Sequence, residues 1–148
     1  MKIDGINHRI GITATLDEVY TALTRESGIS GWWGPTKIES QEEGDIVSVK
    51  FPSITINLRV ARLIPKQSVT WEPLNIPSWK GTEIHFDLYA DGAFAIILFS
   101  HRGWDEELYE HMAHCSTKWV VFLLSLKSLL EEGKGLPSPY DRKIDNWN

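Results

Sequence analysis

His111, His114 and Cys115 stand close together in the chain, with His101 a short way upstream. Imidazole and thiolate are ligands that zinc prefers, and on a helix positions 111 and 114 are neighbours that could share an ion. The same helical geometry argues against a metal. Cys115 belongs to the apolar stripe of its helix, His111 lies well around from it, and neither C-x-x-C nor H-E-x-x-H spacing occurs. No metal site is expected. The buried thiol of Cys115, with no activating charge beside it, reads as inert.

His101 is the stronger candidate for a function. The strand pattern around it points its ring inward at the end of an apolar face, where a buried imidazole needs a partner. It could orient a polar group of a ligand, act as an acid or base near neutral pH, or serve structurally by bonding to a backbone carbonyl. Ser100 is no partner, because strand neighbours face opposite ways. The adjacent acids Glu42-Glu43, Glu106-Glu107 and Glu131-Glu132 diverge from one another and read as solvated. "GKGLPS" follows a helix rather than opening one, so it is not a phosphate loop. No catalytic residue is assigned, no cofactor is expected, and the balance leans away from an enzyme.

The elements that must position these groups follow from periodicity. "INHRIGIT" (6–13) alternates like a strand. Thr15 and Glu18 form a T-x-x-E capping box at a helix start, and Val19, Ala22 and Leu23 give that helix its inner face. It should stop near Ser27-Gly28, leaving room for one more short turn before Gly31. Strand candidates then fall at 36–40, 45–51, 55–64 and 68–72. Asp91-Gly92 is a favoured two-residue turn, which sets Ala90 opposite Ala93, Phe86 opposite Ile97 and Ile84 opposite Phe99. One face of that hairpin collects Ile84, Phe86, Leu88, Ala95, Ile97, Phe99 and His101, and is the core side. Phe94, Ile96 and Leu98 fall on the outer face, which asks for cover from the C-terminal tail or from a second subunit.

A long helix is expected from Asp105, its cap, to Glu132, with Gly133 ending it. Leu108, Met112, Cys115, Trp119, Phe122, Leu123, Leu126, Leu129 and Leu130 form one stripe along it. Such a helix needs a broad curved sheet to cover, so the order of elements reads as α+β. Residues 1–135 are expected to make one domain. Residues 136–148 read as a tail that Tyr140 and Trp147 could pin to the body.

"GISGWWGP" (28–35) raises a packing question, since Trp32 and Trp33 are adjacent and seven tryptophans is a heavy load for 148 residues. Neighbours on a helix or strand point apart, so one indole is expected in the core and the other at a partly wet rim. The rings either line a pocket or fill it.

Composition sets the outer limits. A net charge of -5 with scattered lysines and arginines offers phosphates no footprint, so nucleic acid is not an expected partner. A single cysteine excludes an internal disulfide framework and fits a reducing compartment. No apolar run reaches the length of a membrane span and the N-terminus lacks a signal-peptide core, so a cytoplasmic protein without membrane insertion is expected.

The stretches "ATLDEVYTALT", "WWGP", "VTWE", "GTEIHFDLYADGAFAIILFSHRGW" and "HMAHCSTKWVVFLLSLKSLLEEG" occur in an order and spacing that resemble the START-like, helix-grip superfamily known as SRPBCC. Within it the chain resembles the family related to the C-terminal domain of the activator of the heat-shock protein 90 ATPase. The resemblance implies a sheet gripping the C-terminal helix, with a cavity between them for a hydrophobic molecule. One departure is Lys118, where many relatives have glycine; if it points inward it changes the cavity's shape and polarity. The expected role is binding of a hydrophobic or aromatic small molecule. Its expected lining is Trp33, Trp71, Phe86, Ile97, Phe99, Met112, Cys115 and Trp119, with His101 as the polar contact. Two other roles stand beside it: a cochaperone-like module with a chaperone as partner, and a polyketide cyclase or hydrolase that would use His101. A monomer and a homodimer are both compatible with the sequence.

Overall fold

A computed structural model of the chain describes residues 5–39 and 41–148. Seven antiparallel strands form one sheet: β1 (Ile6–Ile12), β2 (Thr36–Ile38), β3 (Ile46–Lys50), β4 (Thr55–Ile64), β5 (Ser68–Pro73), β6 (Glu83–Asp91) and β7 (Phe94–Arg102). Their order across the sheet is β1-β7-β6-β5-β4-β3-β2, so the first strand closes against the last. A register shift between Val60 and Arg62 bends β4, which helps to curl the sheet. Helices α1 (Leu16–Thr24) and α2 (Glu26–Trp32) cross from β1 to β2, and α3 (Tyr109–Glu132) lies across the concave face. This is the expected helix-grip α+β architecture. The strand expected at 36–40 is shorter in the structure, and its last residue, Ser40, lies outside the described residues.

Local chemistry explains most boundaries. The Thr15 hydroxyl accepts from the Glu18 amide and the Glu18 carboxylate accepts from the Thr15 amide, both at 3.1 Å, so the capping box is complete. The expected stop at Ser27-Gly28 is not observed. The chain turns earlier, at the extended residue Arg25, and Gly28 lies inside α2. A Cβ on Gly28 would come within 2.6 Å of the Ala22 backbone, so glycine is there to let two helices touch.

The β6–β7 register also differs from expectation. Asp91 pairs with Phe94, leaving Gly92 and Ala93 as the turn, with Gly92 at φ 60° in the first turn position. That is the type II′ arrangement, in which glycine comes first. Phe86 therefore faces Phe99, and Ile84 faces His101. The shift is by an even number of residues, so every side chain keeps its predicted face.

The first turn of the long helical run, Glu106–Leu108, is 3-10 rather than α, with the Asp105 side chain accepting from the Glu107 amide at 3.2 Å. Two buried polar residues, Lys118 and Ser125, interrupt the stripe of α3. Glu131 is more than solvated: it accepts from Lys127 at 2.8 Å and from the Thr13 amide at 2.7 Å, tying α3 to the end of β1. Among the described residues, no helix is long and apolar enough to cross a membrane.

Candidate ligand-binding site

The interior begins with the paired tryptophans. Trp32 is the last residue of α2 and Trp33 its C-cap, and both are buried, at 0% and 1% exposure. The expected rim tryptophan does not exist. The two indoles stack at 5.6 Å and 7° on each other, and Trp33 stacks equally on Trp71. Because α2 is enclosed between the sheet and α3, two of its faces are inside. The Trp32 N–H donates to the Ala22 carbonyl at 2.9 Å, and Ser125 of α3 donates to the Trp32 carbonyl at 2.8 Å.

From this stack the rings continue without a gap. Trp71 meets Phe86 edge-on at 5.1 Å, Phe86 meets Phe99 at 5.2 Å, and Phe99 meets Trp119 at 4.6 Å. Edge-to-face and offset contacts of this kind add to the burial energy of each ring. The centre of the grip is solid.

His101 lies in this packed region, fully buried. An indole N–H can only donate, so Trp119 Nε1, at 3.1 Å, makes His101 Nδ1 an acceptor. Nε2 then carries the proton and donates to the Thr82 hydroxyl at 2.9 Å, which donates in turn to the Trp79 carbonyl at 2.6 Å. Burial, with a smaller push from His85, drives the imidazole pKa down to about 3. The ring is neutral and both of its nitrogens are occupied by protein.

A cavity of ≈ 460 Å³ opens beside this core. Its walls are Trp33 and the middle of α3 (Cys115, Lys118, Trp119, Phe122), the β3–β4 turn (Phe51, Ser53, Ile54, Ile56), Trp79, and the C-terminal residues Ser138, Lys143, Trp147 and Asn148. Of the nine expected lining residues, three border it: Trp33, Cys115 and Trp119. Trp71, Phe86, Ile97, Phe99, His101 and Met112 do not. Burial pushes the Cys115 thiol up to about 11, against a smaller opposing hydrogen bond with Trp79. The thiol is protonated and acts as an apolar wall.

The outer wall is the segment after Gly133. The Ser138 amide donates to the Trp33 carbonyl at 2.9 Å, and the Leu136 amide donates to Ser125 Oγ at 2.8 Å. Lys118 points inward and forms a buried ion pair with Asp141, its ammonium also donating to the Arg142 carbonyl at 2.7 Å. Trp147 packs on His111 and His114, each at 5.0 Å, and His114 Nδ1 lies 2.6 Å from an Asp145 carboxylate oxygen. Tyr140 takes no part in the pinning and is 76% exposed. His111 and His114 thus serve as the seat of an indole, and among the described residues no group of three His, Cys, Asp or Glu is arranged to hold a metal ion.

Phe51, Phe122 and the Lys118–Asp141 pair went unmarked as site residues in the sequence reading. Phe122 was legible as a stripe residue only, and Phe51 as the end of a strand. The partner of Lys118 lies 23 positions away in a segment without periodicity, and the sequence leaves open both the direction of Lys118 and what it pairs with.

No protein-family model matches the chain, and no curated protein matches it either. Solved structures do. The Aha1 dimer from Colwellia psychrerythraea, determined in solution, is 42% identical, with a TM-score of 0.81 over 90% of this chain and 100% of that one. The chain belongs to the Aha1 family. This Aha1 family member also shares the SRPBCC helix-grip fold with CalU16 from Micromonospora echinospora, at 20% identity and a TM-score of 0.73 over 90% of this chain and 76% of that one. DynU16, from the dynemicin biosynthetic locus, is 18% identical with a TM-score of 0.75, and this chain spans 49% of its length.

Proposed function

We propose that this Aha1 family member is a small-molecule carrier whose ligand, an apolar molecule bearing rings, occupies the cavity between α3, the β3–β4 turn and the C-terminal segment. The observation that carries this reading is the cavity itself. Its ≈ 460 Å³ falls in the range of small-molecule sites, and rigid indole and phenyl rings form much of its wall. Rigid walls lose little entropy when they order around a guest. The occupied nitrogens of His101 favour binding over the cyclase or hydrolase alternative. Tryptophan fluorescence, titrated with the uncharged dye N-phenyl-1-naphthylamine, should saturate at one dye per chain. Ile54→Trp, which fills the rim, should abolish the signal while leaving Tm unchanged. A wild-type protein that takes up no dye would overturn the reading.

A second reading concerns the outer face of the sheet, and here we propose a homodimer. Phe94 and Leu98 are 45% and 42% exposed on β7, and the C-terminal segment lies on the other side of the molecule, at the cavity. Leu98 is flanked by Arg9 on β1 and Asp87 on β6. A two-fold axis running along β7 would set Arg9 of each copy against Asp87 of the other, with the apolar strips between them. The relative from Colwellia psychrerythraea is a dimer. Light scattering after size exclusion should give twice the chain mass for the wild type and a monomer for Leu98→Lys. A monomeric wild type would leave the strip to another partner, a chaperone among them.

A further inference from the structure

We infer that the guest of this cavity carries an uncharged oxygen acceptor, a ketone, ester or ether oxygen on its apolar rings, and that Lys118 donates a hydrogen bond to it. The inference rests on the carrier reading above and adds the polar group of the ligand. Lys118 lies in the middle of α3 and borders the cavity, although its side chain is only 8% exposed. Its Nζ stands 5.2 Å from the centroid of the Phe122 ring, which borders the same space. An ammonium buried among indole and phenyl rings is costly unless its protons are used.

An ammonium has three protons to give. Lys118 gives one to Asp141 and one to the Arg142 carbonyl at 2.7 Å. Among the described residues no third oxygen or nitrogen accepts from it, and the face of Phe122 is a weaker partner than an oxygen. Its charge is matched in a different way. Asp141, its side chain 2% exposed, meets that charge at close contact. Lys143, half-exposed and 3.6 Å from the other carboxylate oxygen, is screened by water and makes little claim on Asp141. What Lys118 holds out is therefore a directed proton rather than an unmatched charge. An uncharged acceptor takes that proton without setting a second anion beside the buried Asp141 carboxylate. A hydrocarbon guest would strip water from the proton and return nothing, whereas a carbonyl returns a hydrogen bond. Asp141 and the Arg142 carbonyl fix the ammonium, so the donor is in position before the guest arrives.

Two uncharged naphthalene dyes test this. N-phenyl-1-naphthylamine has no oxygen, whereas 6-propionyl-2-dimethylaminonaphthalene has a ketone and emits at longer wavelength when that ketone accepts a hydrogen bond. Removing both partners with Lys118→Met/Asp141→Leu avoids stranding a buried carboxylate. The double variant should bind the ketone about tenfold more weakly, the scale of one hydrogen bond from a charged donor, and shift its emission to shorter wavelength. It should bind the oxygen-free dye at least as tightly as the wild type does. In the wild type, the infrared carbonyl stretch of the bound ketone should fall below its position in an aprotic solvent, a readout that needs no variant. A stretch at the aprotic position, equal changes for both dyes in the double variant, or uptake of the oxygen-free dye alone would overturn the acceptor while leaving the carrier reading intact. Failure of the wild type to bind either dye would overturn the two together.

Discussion

Trp119 belongs to two regions that treat it differently. Toward the sheet its N–H is locked onto His101, and its ring meets Phe99 at 4.6 Å in an interior filled by other rings. Toward the C-terminal segment the same residue borders a cavity of ≈ 460 Å³, beside the buried Lys118–Asp141 ion pair. On the first side both ring nitrogens of His101 and the Trp119 N–H are bonded within the protein, and buried satisfied networks specify one packing. On the second side Asp141 Oδ1 is buried without a hydrogen bond. A single helix therefore supplies both a rigid core and an unfinished site, and the core holds the site's walls in place.

Acid should separate the two regions most sharply. His101 has its pKa pushed from 6.5 down to about 3, so the folded state binds fewer protons than the unfolded chain between those values. The stabilising effect is complete above 6.5 and is lost as pH falls toward 3. The loss should amount to about 2 kcal/mol by pH 5 and roughly 5 kcal/mol at the folded pKa. Urea unfolding at a series of pH values should show it, and His101→Gln should flatten the curve. A wild-type stability unchanged between neutrality and pH 5 would mean that the imidazole is not sealed.

Truncating rings compares the regions directly. Phe86→Ala in the filled interior should cost about 4 kcal/mol, whereas Phe51→Ala at the cavity wall should cost about half of that, because it already faces open space. Equal costs would show that the cavity side is as tightly packed as the core. Next in size is Asp141→Ala, which strands the Lys118 ammonium. The cost should be about 2 kcal/mol, limited by how easily the C-terminal segment lifts away to hydrate it. Amide exchange should show the loss of protection confined to that segment and the middle of α3. The last test moves no stability. With its thiol pushed up to about 11, Cys115 should react with a thiol reagent about a hundredfold slower than a free cysteine near pH 8. Bound dye should slow it further if the two share the cavity.

Much of the fold was legible because it is written in periodicity. The α3 stripe, the capping box and the alternating strands each repeat a local rule, and the architecture follows from them. The β6–β7 register slipped because Asp91-Gly92 satisfies one two-residue turn and Gly92-Ala93 another. Gly92 takes a positive φ in either turn, and the choice falls to Asp91, which keeps a negative φ and pairs with Phe94. Trp32 and Trp33 were misplaced for a different reason: the rule that neighbours diverge holds for Cβ directions, but α2 is enclosed on two faces. The cavity was the least legible feature. It is bounded by residues from the β3–β4 turn and the aperiodic C-terminal segment, and nothing in the sequence pairs Lys118 with Asp141.

Ser125 carries a consequence for timing. Its hydroxyl donates to the carbonyl of Trp32 and accepts from the amide of Leu136, so one oxygen fastens α2, α3 and the outer wall together. The outer wall can lift only when both bonds to that oxygen break, so Ser125→Ala should speed amide exchange at Leu136 and along the segment that follows it.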